Sequence, residues 1–350
     1  MVATRAERLA FAGLQTARVA FYGAHYLAAR MIARENFSDI KKPAHKLPSL
    51  GVMARAMADL FTQDWKNVEA GLYPAPLDLR REARHALGSV RYLADVPKVA
   101  KRQKRHGHDE AKEKGDGKPR YYRQNFHYQT DGYLSDRSAQ IYDFQVDALF
   151  AGTADAMRRR AYVPIAIYLE GRDAAKISLL DIGAGTGRFL SFVKSVQPEL
   201  KVTALDLSAP YLARAEKALK GAKNANFVEA AAEDMPLPDA SVDIAISIYL
   251  FHELPPKVRA AAAKEIARVL KPGGVFVLAD SIQYGDASAF DGLLDIFPEL
   301  LHEPYYSSYA KTDMAKLFGA AGLKHATDDI AYLTKVSVFE KAKAAKRRPT

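Results

Sequence analysis

Leu179-Leu180-Asp181-Ile182-Gly183-Ala184-Gly185-Thr186-Gly187-Arg188-Phe189 reads as a buried strand that ends in an acid, then a glycine turn, then the start of a helix. Leucine and β-branched residues from Ile177 to Ile182 suit a strand covered on both faces. Gly183, Gly185 and Gly187 let the backbone turn sharply and bring main-chain N–H groups close to a ligand. The spacing is G-x-G-x-G, and Arg188 stands where the last glycine of a dinucleotide fingerprint would fall. A side chain there crowds a pyrophosphate, and an acid leading into the turn repels one. The loop favours a nucleoside ligand that lacks phosphates and carries a positive charge.

Working outward, Lys201-Val202-Thr203-Ala204-Leu205-Asp206 is a second strand ending in an acid, about 20 residues beyond the turn. Its carboxylate can accept hydrogen bonds from both hydroxyls of a ribose. Asn226–Glu229 reads as a third strand, and Asp234 just after it can accept from an adenine amino group. Ser241–Ser247 is a fourth. Val269–Leu278, through Lys271-Pro272-Gly273-Gly274, closes a helix with a turn and starts a fifth.

LLDIGAGTGRFL, ALDLSAPYLARA, AAEDMPLPDASVD and RVLKPGG follow one another at spacings that build one sheet. On these motifs, residues from about 175 to 282 resemble a class I S-adenosylmethionine-dependent methyltransferase. They are most similar to the group that includes the ubiquinone and menaquinone C-methyltransferases. The resemblance implies an α/β fold: a Rossmann-like, seven-stranded sheet with helices on both faces and an antiparallel final strand. It implies S-adenosylmethionine as cofactor and no metal. Expected cofactor contacts are Asp181, Gly183, Ala184, Gly185 and Gly187 at the turn, Asp206 and Leu207 after the second strand, Glu233 and Asp234, and Ile248.

The segment Ile248-Tyr249-Leu250-Phe251-His252-Glu253-Leu254-Pro255 follows the fourth strand. Enzymes that methylate exocyclic amines of nucleobases carry an Asn or Asp-Pro-Pro-aromatic motif here. Its absence argues against that class of nucleic-acid methylation. His252 can accept a proton from a hydroxyl or an acidic carbon, or simply cap the next helix. Asp280 and Gln283, after the fifth strand, are further pocket candidates. Upstream, Tyr121–Ser135 crowds aromatic, amide and imidazole groups into a turn, and His127, Tyr128 and Tyr142 are candidates on a substrate cap. The cap's aromatics can equally be docking groups. His127 and Tyr142 join His252 as the expected catalytic residues, and His302–Tyr306 as an acceptor-side loop.

With 350 residues and 49% hydrophobic content, the chain can bury a sizeable core, and about two domains are expected. The expected boundaries are a mainly helical region with a cap at 1–164, a methyltransferase domain at 165–340 and a basic tail at 341–350. Cysteine is absent, which excludes disulfides and thiolate metal sites and suits a reducing, cytoplasmic setting. No secretory signal is visible, and no apolar run reaches the ~20 residues of a membrane-spanning helix.

Much of the basic excess sits in a stretch read as a flexible linker, about 98–120, and in the tail. Residues 4–35 look helical but without one clean apolar face, so the helix is half-buried or interfacial, with peripheral contact to an anionic membrane as one use. Residues 51–69 form a second helix. Ser135 is expected to cap a helix through Phe150. His106, His108, Asp109 and Glu110 carry metal-binding groups without a known ligand spacing. After the fifth strand, helices are expected over 290–301 and 311–321, with the last two strands at 330–333 and 335–339. The expected function is methyl transfer to a small molecule, an aromatic or quinone-like one favoured. RNA or protein methylation, and a non-catalytic cofactor-binding module, stay open beside it.

Overall fold

The central strands form because their apolar runs have no face left for water. Leu179, Leu180 and Ile182 of β1 (Ser178–Ile182) and Ile244, Ala245 and Ile246 of β4 (Val242–Ile248) are all buried. The structure is a computed structural model that describes residues 4–33, 42–79, 82–83, 87–105, 111 and 117–343. His106, His108, Asp109, Glu110 and the tail from 344 lie outside the described residues. Two compact units divide the chain: Met1–Arg160 with Ala287–Ser307, and Ala161–Asp286 with Ser308–Thr350. The boundaries expected at 164 and 340 did not set the excursion 287–307 apart from the sheet.

The second unit is a seven-stranded sheet in the order β3-β2-β1-β4-β5-β7-β6. Its remaining strands are β2 (Lys201–Asp206), β3 (Ala225–Glu229), β5 (Leu270–Ser281), β6 (Leu323–Ala331) and β7 (Thr334–Lys341). The first five pair in parallel, and β7 runs antiparallel to both its neighbours. Helices Arg188–Val196, Ala209–Ala218 and Pro256–Val269 occupy the connections, as parallel pairing requires. Ser208 caps the second of these by accepting from Tyr211 N–H. Phe318, on the helix Met314–Ala320, packs at 4.9 Å from Phe276 and 4.5 Å from Phe339, and all three are fully buried.

The sixth strand differs from expectation. It starts at Leu323, not at 330, and Tyr332 and Leu333 form the hairpin turn, with Tyr332 at φ 58. Residues 323–329 hide their strand character because β6 lies at the sheet edge, where Lys324, Asp328 and Asp329 can be polar.

In the first unit, the helix Arg5–Ala33 turns Arg18 inward, where its guanidinium meets Glu82, Asp147 at 3.4 Å and Asp155 at 3.7 Å. The helix Leu50–Glu69 is capped by Ser49 and buries Asp64 against Arg159, 2.5 Å away. Ser135 caps the helix Asp136–Leu149, with Phe150 as its C-terminal cap. The expected linker is corrected at its start: Lys98–Arg105 completes the helix Gly88–Arg105. Val96 and Ala100 on that helix pack with Ala29 and Ala33, and Arg102 is buried, donating to the Tyr128 carbonyl at 2.9 Å. The charge run disguised an amphipathic helix. Among the described residues, no helix is long and apolar enough to cross a membrane.

Candidate active site

β1 and β4 are neighbours whose chain connections depart in opposite directions, so a crevice opens beyond their carboxyl ends. Asp181 lies near the end of β1 and Asp206 at the end of β2. The intervening loop is held against β2. Gly183 and Ala184 N–H both donate to the Leu205 carbonyl, at 2.8 and 3.0 Å, and Gly185 N–H donates to Asp206 Oδ2 at 2.8 Å. Gly187 N–H donates to Ala184 O at 3.0 Å. These donors are therefore engaged within the protein, not presented to a phosphate, and carboxylates face the site instead.

Two glycines do different work. Gly187 has φ 72, and a Cβ on it would stand 2.8 Å from Ala215 Cβ, so it lets the loop close onto the helix Ala209–Ala218. Gly185 has φ 55 and nothing within 4 Å of its Cβ position. Open space lies there.

Asp181 is 2% exposed and its Oδ1 has no hydrogen-bond partner. Burial, reinforced by the charge of Asp206, pushes its carboxyl up to about 8. Asp206 is half-buried and accepts from Ser208 N–H at 2.8 Å as well as from Gly185. Burial raises it to about 6, opposed by the Ser208 and Gly185 N–H groups and assisted by the charge of Glu253. The causes that dominate these two shifts are burial, neighbouring carboxylates and backbone N–H groups.

Beyond β4, His252 Nδ1 lies 2.6 Å from Asp280 Oδ1, both residues buried, and Phe251 N–H donates to Asp280 Oδ2 at 2.8 Å. Asp280, on β5, thereby orients the imidazole, and Nε2 points to the side where Glu253 stands 4.0 Å away. This third strand-end acid repeats the pattern of Asp181 and Asp206.

Residues 180–278 match the family model described as a methyltransferase domain. They form a methyltransferase domain. The chain is 37% identical over 144 residues to a demethylmenaquinone methyltransferase of Chlorobaculum tepidum, covering 40% of this chain and 55% of that one. It is 31% identical over 134 residues to a carboxy-S-adenosyl-L-methionine synthase of Aeromonas hydrophila, covering 37% and 53%. A 2-methyl-6-phytyl-1,4-hydroquinone methyltransferase of Oryza sativa is 38% identical over 122 residues, covering 34% and 32%. The chain thus spans about half the length of the first two and a third of the last.

Two observations in the methyltransferase domain fit its cofactor. The orphaned, buried Oδ1 of Asp181 suits a cationic group, and the open space at Gly185 suits an adenosyl body that a side chain would displace. The other expected contacts sit at the same sheet edge: Leu207 just after β2, half-buried Glu233 and exposed Asp234 after β3, and Ile248 closing β4. Ser247 Oγ donates to Ile182 O at 3.0 Å and ties the ends of β4 and β1 together.

Gln283 is committed elsewhere, donating to the carbonyls of Tyr309 at 2.7 Å and Thr312 at 2.6 Å. Arg259 escaped the sequence reading. It is 1% exposed and holds Leu254 O at 2.8 Å and Thr312 Oγ1 at 2.9 Å, yet within its helix it reads as an ordinary surface arginine.

The remaining candidates belong to the first unit. His127, Tyr128 and Asp131 adopt positive φ of 54, 50 and 65, a concentration of strain that is found at functional turns. His127 Nε2 lies 3.1 Å from Glu303 Oε1, the Tyr128 ring lies 5.3 Å from that of His302 and tilted by 43°, and Gln124 donates to Tyr305 at 3.0 Å. The expected cap and the loop 302–306 are thus brought together. Tyr142 is half-buried, edge-on to Tyr133 at 6.0 Å.

Proposed function

We propose that the chain transfers a methyl group from S-adenosylmethionine to a small-molecule acceptor, with aromatic or quinone-like compounds favoured. One observation carries the cofactor's part: two buried-edge carboxylates, Asp181 and Asp206, beside open space at Gly185. In this reading Asp206 accepts from the ribose hydroxyls and Asp181 compensates the cofactor's positive charge. When bound, the cofactor supplies a methyl group on a sulfonium, open to attack in line with the carbon–sulfur bond.

The protein's part is to orient and to move one proton. In this reading Asp280 accepts from Nδ1–H of His252, and Nε2 takes a proton from an acceptor hydroxyl or acidic carbon. Arg259, by holding Leu254 O, supports the turn that carries His252. The names of the quinone- and hydroquinone-methylating relatives support the preference in acceptor.

The test is a panel of phenols and quinols incubated with methyl-labelled cofactor. Label in at least one of them is expected, and His252→Asn should lower kcat by roughly 10²–10⁴-fold with cofactor affinity kept. Label in none removes the acceptor preference. A second reading rests on charge: residues 161–350 are balanced, so the whole +10 lies in residues 1–160, which suits an anionic acceptor such as RNA. Turnover stimulated by RNA and lost on neutralising Lys101–Arg105 would favour it.

A further inference from the structure

The helix Arg5–Ala33 is apolar on the wrong side as well as the right one. From Leu9 to Ala33 its only charged residues are Arg18, which is buried, and Arg30, which is half-buried, so every exposed position there is uncharged. Leu9 is 66% exposed, Leu27 58% and Met31 74%. A solvated helix face carries charge, and a long uncharged one is a surface to be covered. The exposed residues also keep a beat. Apolar residues recur at alternating steps of four and three from Ala6 to Met31, all of them exposed, which is the 3.5-residue repeat of a helix-pairing seam.

We propose that this face pairs with the same helix of a second copy of the chain, the two running antiparallel. The order of sizes along the seam favours that occupant. About a two-fold axis midway between Ala17 and Ala20, Met31 of one copy meets Ala6 of the other, Leu27 meets Ala10, and Gly13 meets Ala24. Large side chains fall on small ones at both ends, and the middle is small on both sides, so the axes stay evenly spaced. A parallel pair would set Met31 on Met31 at one end and Ala6 on Ala6 at the other, splaying the helices. The antiparallel pair is isologous and closes at two copies. Next to the seam it sets Phe21 beside Leu14 and lays the stem of Arg30 on Leu9.

Area allows it. A 29-residue helix is about 43 Å long and about 10–12 Å wide, so the pair covers roughly 1,000 Å² in all, near the lower bound of a specific interface. The dimer is therefore weak and concentration-dependent. A bilayer surface suits this face less well: interfacial helices offer lipid Trp, Phe and Leu, whereas the centre of this seam is Gly and Ala, which let two backbones approach.

The chain has no cysteine, so cross-linking reads out cleanly. The Ala10→Cys, Leu27→Cys double variant should oxidise to a covalent dimer, while Ala10→Cys alone should not, because in the antiparallel pair the two copies of residue 10 lie about 25 Å apart. Light scattering should show a mass rising from 38.6 kDa towards twice that with concentration, and Ala17→Glu should hold it at the monomer with unchanged circular dichroism. Cross-linking by Ala10→Cys alone would overturn the antiparallel order. A monomer at every concentration, or a monomer that co-sediments with anionic vesicles and is released by Ala17→Glu, would overturn the pairing itself.

Discussion

Asp181 makes the proposed cofactor site sensitive to pH, and the sign follows from its environment. Its folded-state value, about 8, lies above the ordinary carboxylate value of 3.8, so the folded chain holds a proton that the unfolded chain has lost. The stability linked to this group is complete below about pH 4 and is lost as pH rises through about 8. Asp206, raised to about 6, adds the same trend over a narrower window. Melting temperature without cofactor should fall between pH 4 and 8, and the fall should shrink in Asp181→Asn. A cation that favours the carboxylate expels the proton, so cofactor binding at pH 7 should release it. Calorimetry in buffers of different ionisation enthalpy would read that release, which Asp181→Asn should abolish. That acids end the first two strands was plain in LLDIG and ALDLS. That one of them is left without a partner depends on packing from β4 and the loop after it, which no local pattern encodes.

At the scale of elements, the glycine turn separates two kinds of damage. Gly187→Ala meets Ala215 and a left-handed backbone, and should cost roughly 1–3 kcal/mol of stability, seen in denaturant unfolding. Gly185→Ala meets no protein atom, so beyond its backbone strain it should weaken cofactor binding more than folding. Equal loss of affinity in both would argue that the cofactor does not lie at Gly185. Phe318→Ala opens the aromatic cluster under β5 and β7 and should cost about 3–5 kcal/mol, again by unfolding.

The first five strands were legible because buried parallel strands are continuous apolar runs. β6 was not, since an edge strand can carry Lys324, Asp328 and Asp329 and read as a loop. The end of the helix Gly88–Arg105 was hidden for the opposite reason: its basic residues mask the Val96 and Ala100 stripe that packs with Ala29 and Ala33. The His252–Asp280 pair joins residues whose types were each noticed, but only the adjacency of β4 and β5 sets them 2.6 Å apart.

For the whole molecule, charge and chemistry are carried by different lengths of chain. The methyltransferase motifs fall in the balanced residues 161–350, and the net +10 falls in residues 1–160, whose patterns speak of packing more than of reaction. Cofactor chemistry was therefore legible and acceptor chemistry was not, for residues that shape an acceptor site follow no fixed spacing. The relatives overlap this chain over only part of their own length.

Titration of S-adenosylmethionine into the wild-type chain and into Asp206→Ala by calorimetry is the most direct test. Binding by the wild type is expected, with the variant weaker by about 1–3 kcal/mol, roughly 5–150-fold, for the lost hydrogen bonds to a charged group. No binding by the wild type, or equal affinity in a folded Asp206→Ala, would contradict a cofactor held at the carboxyl edge of β1 and β2.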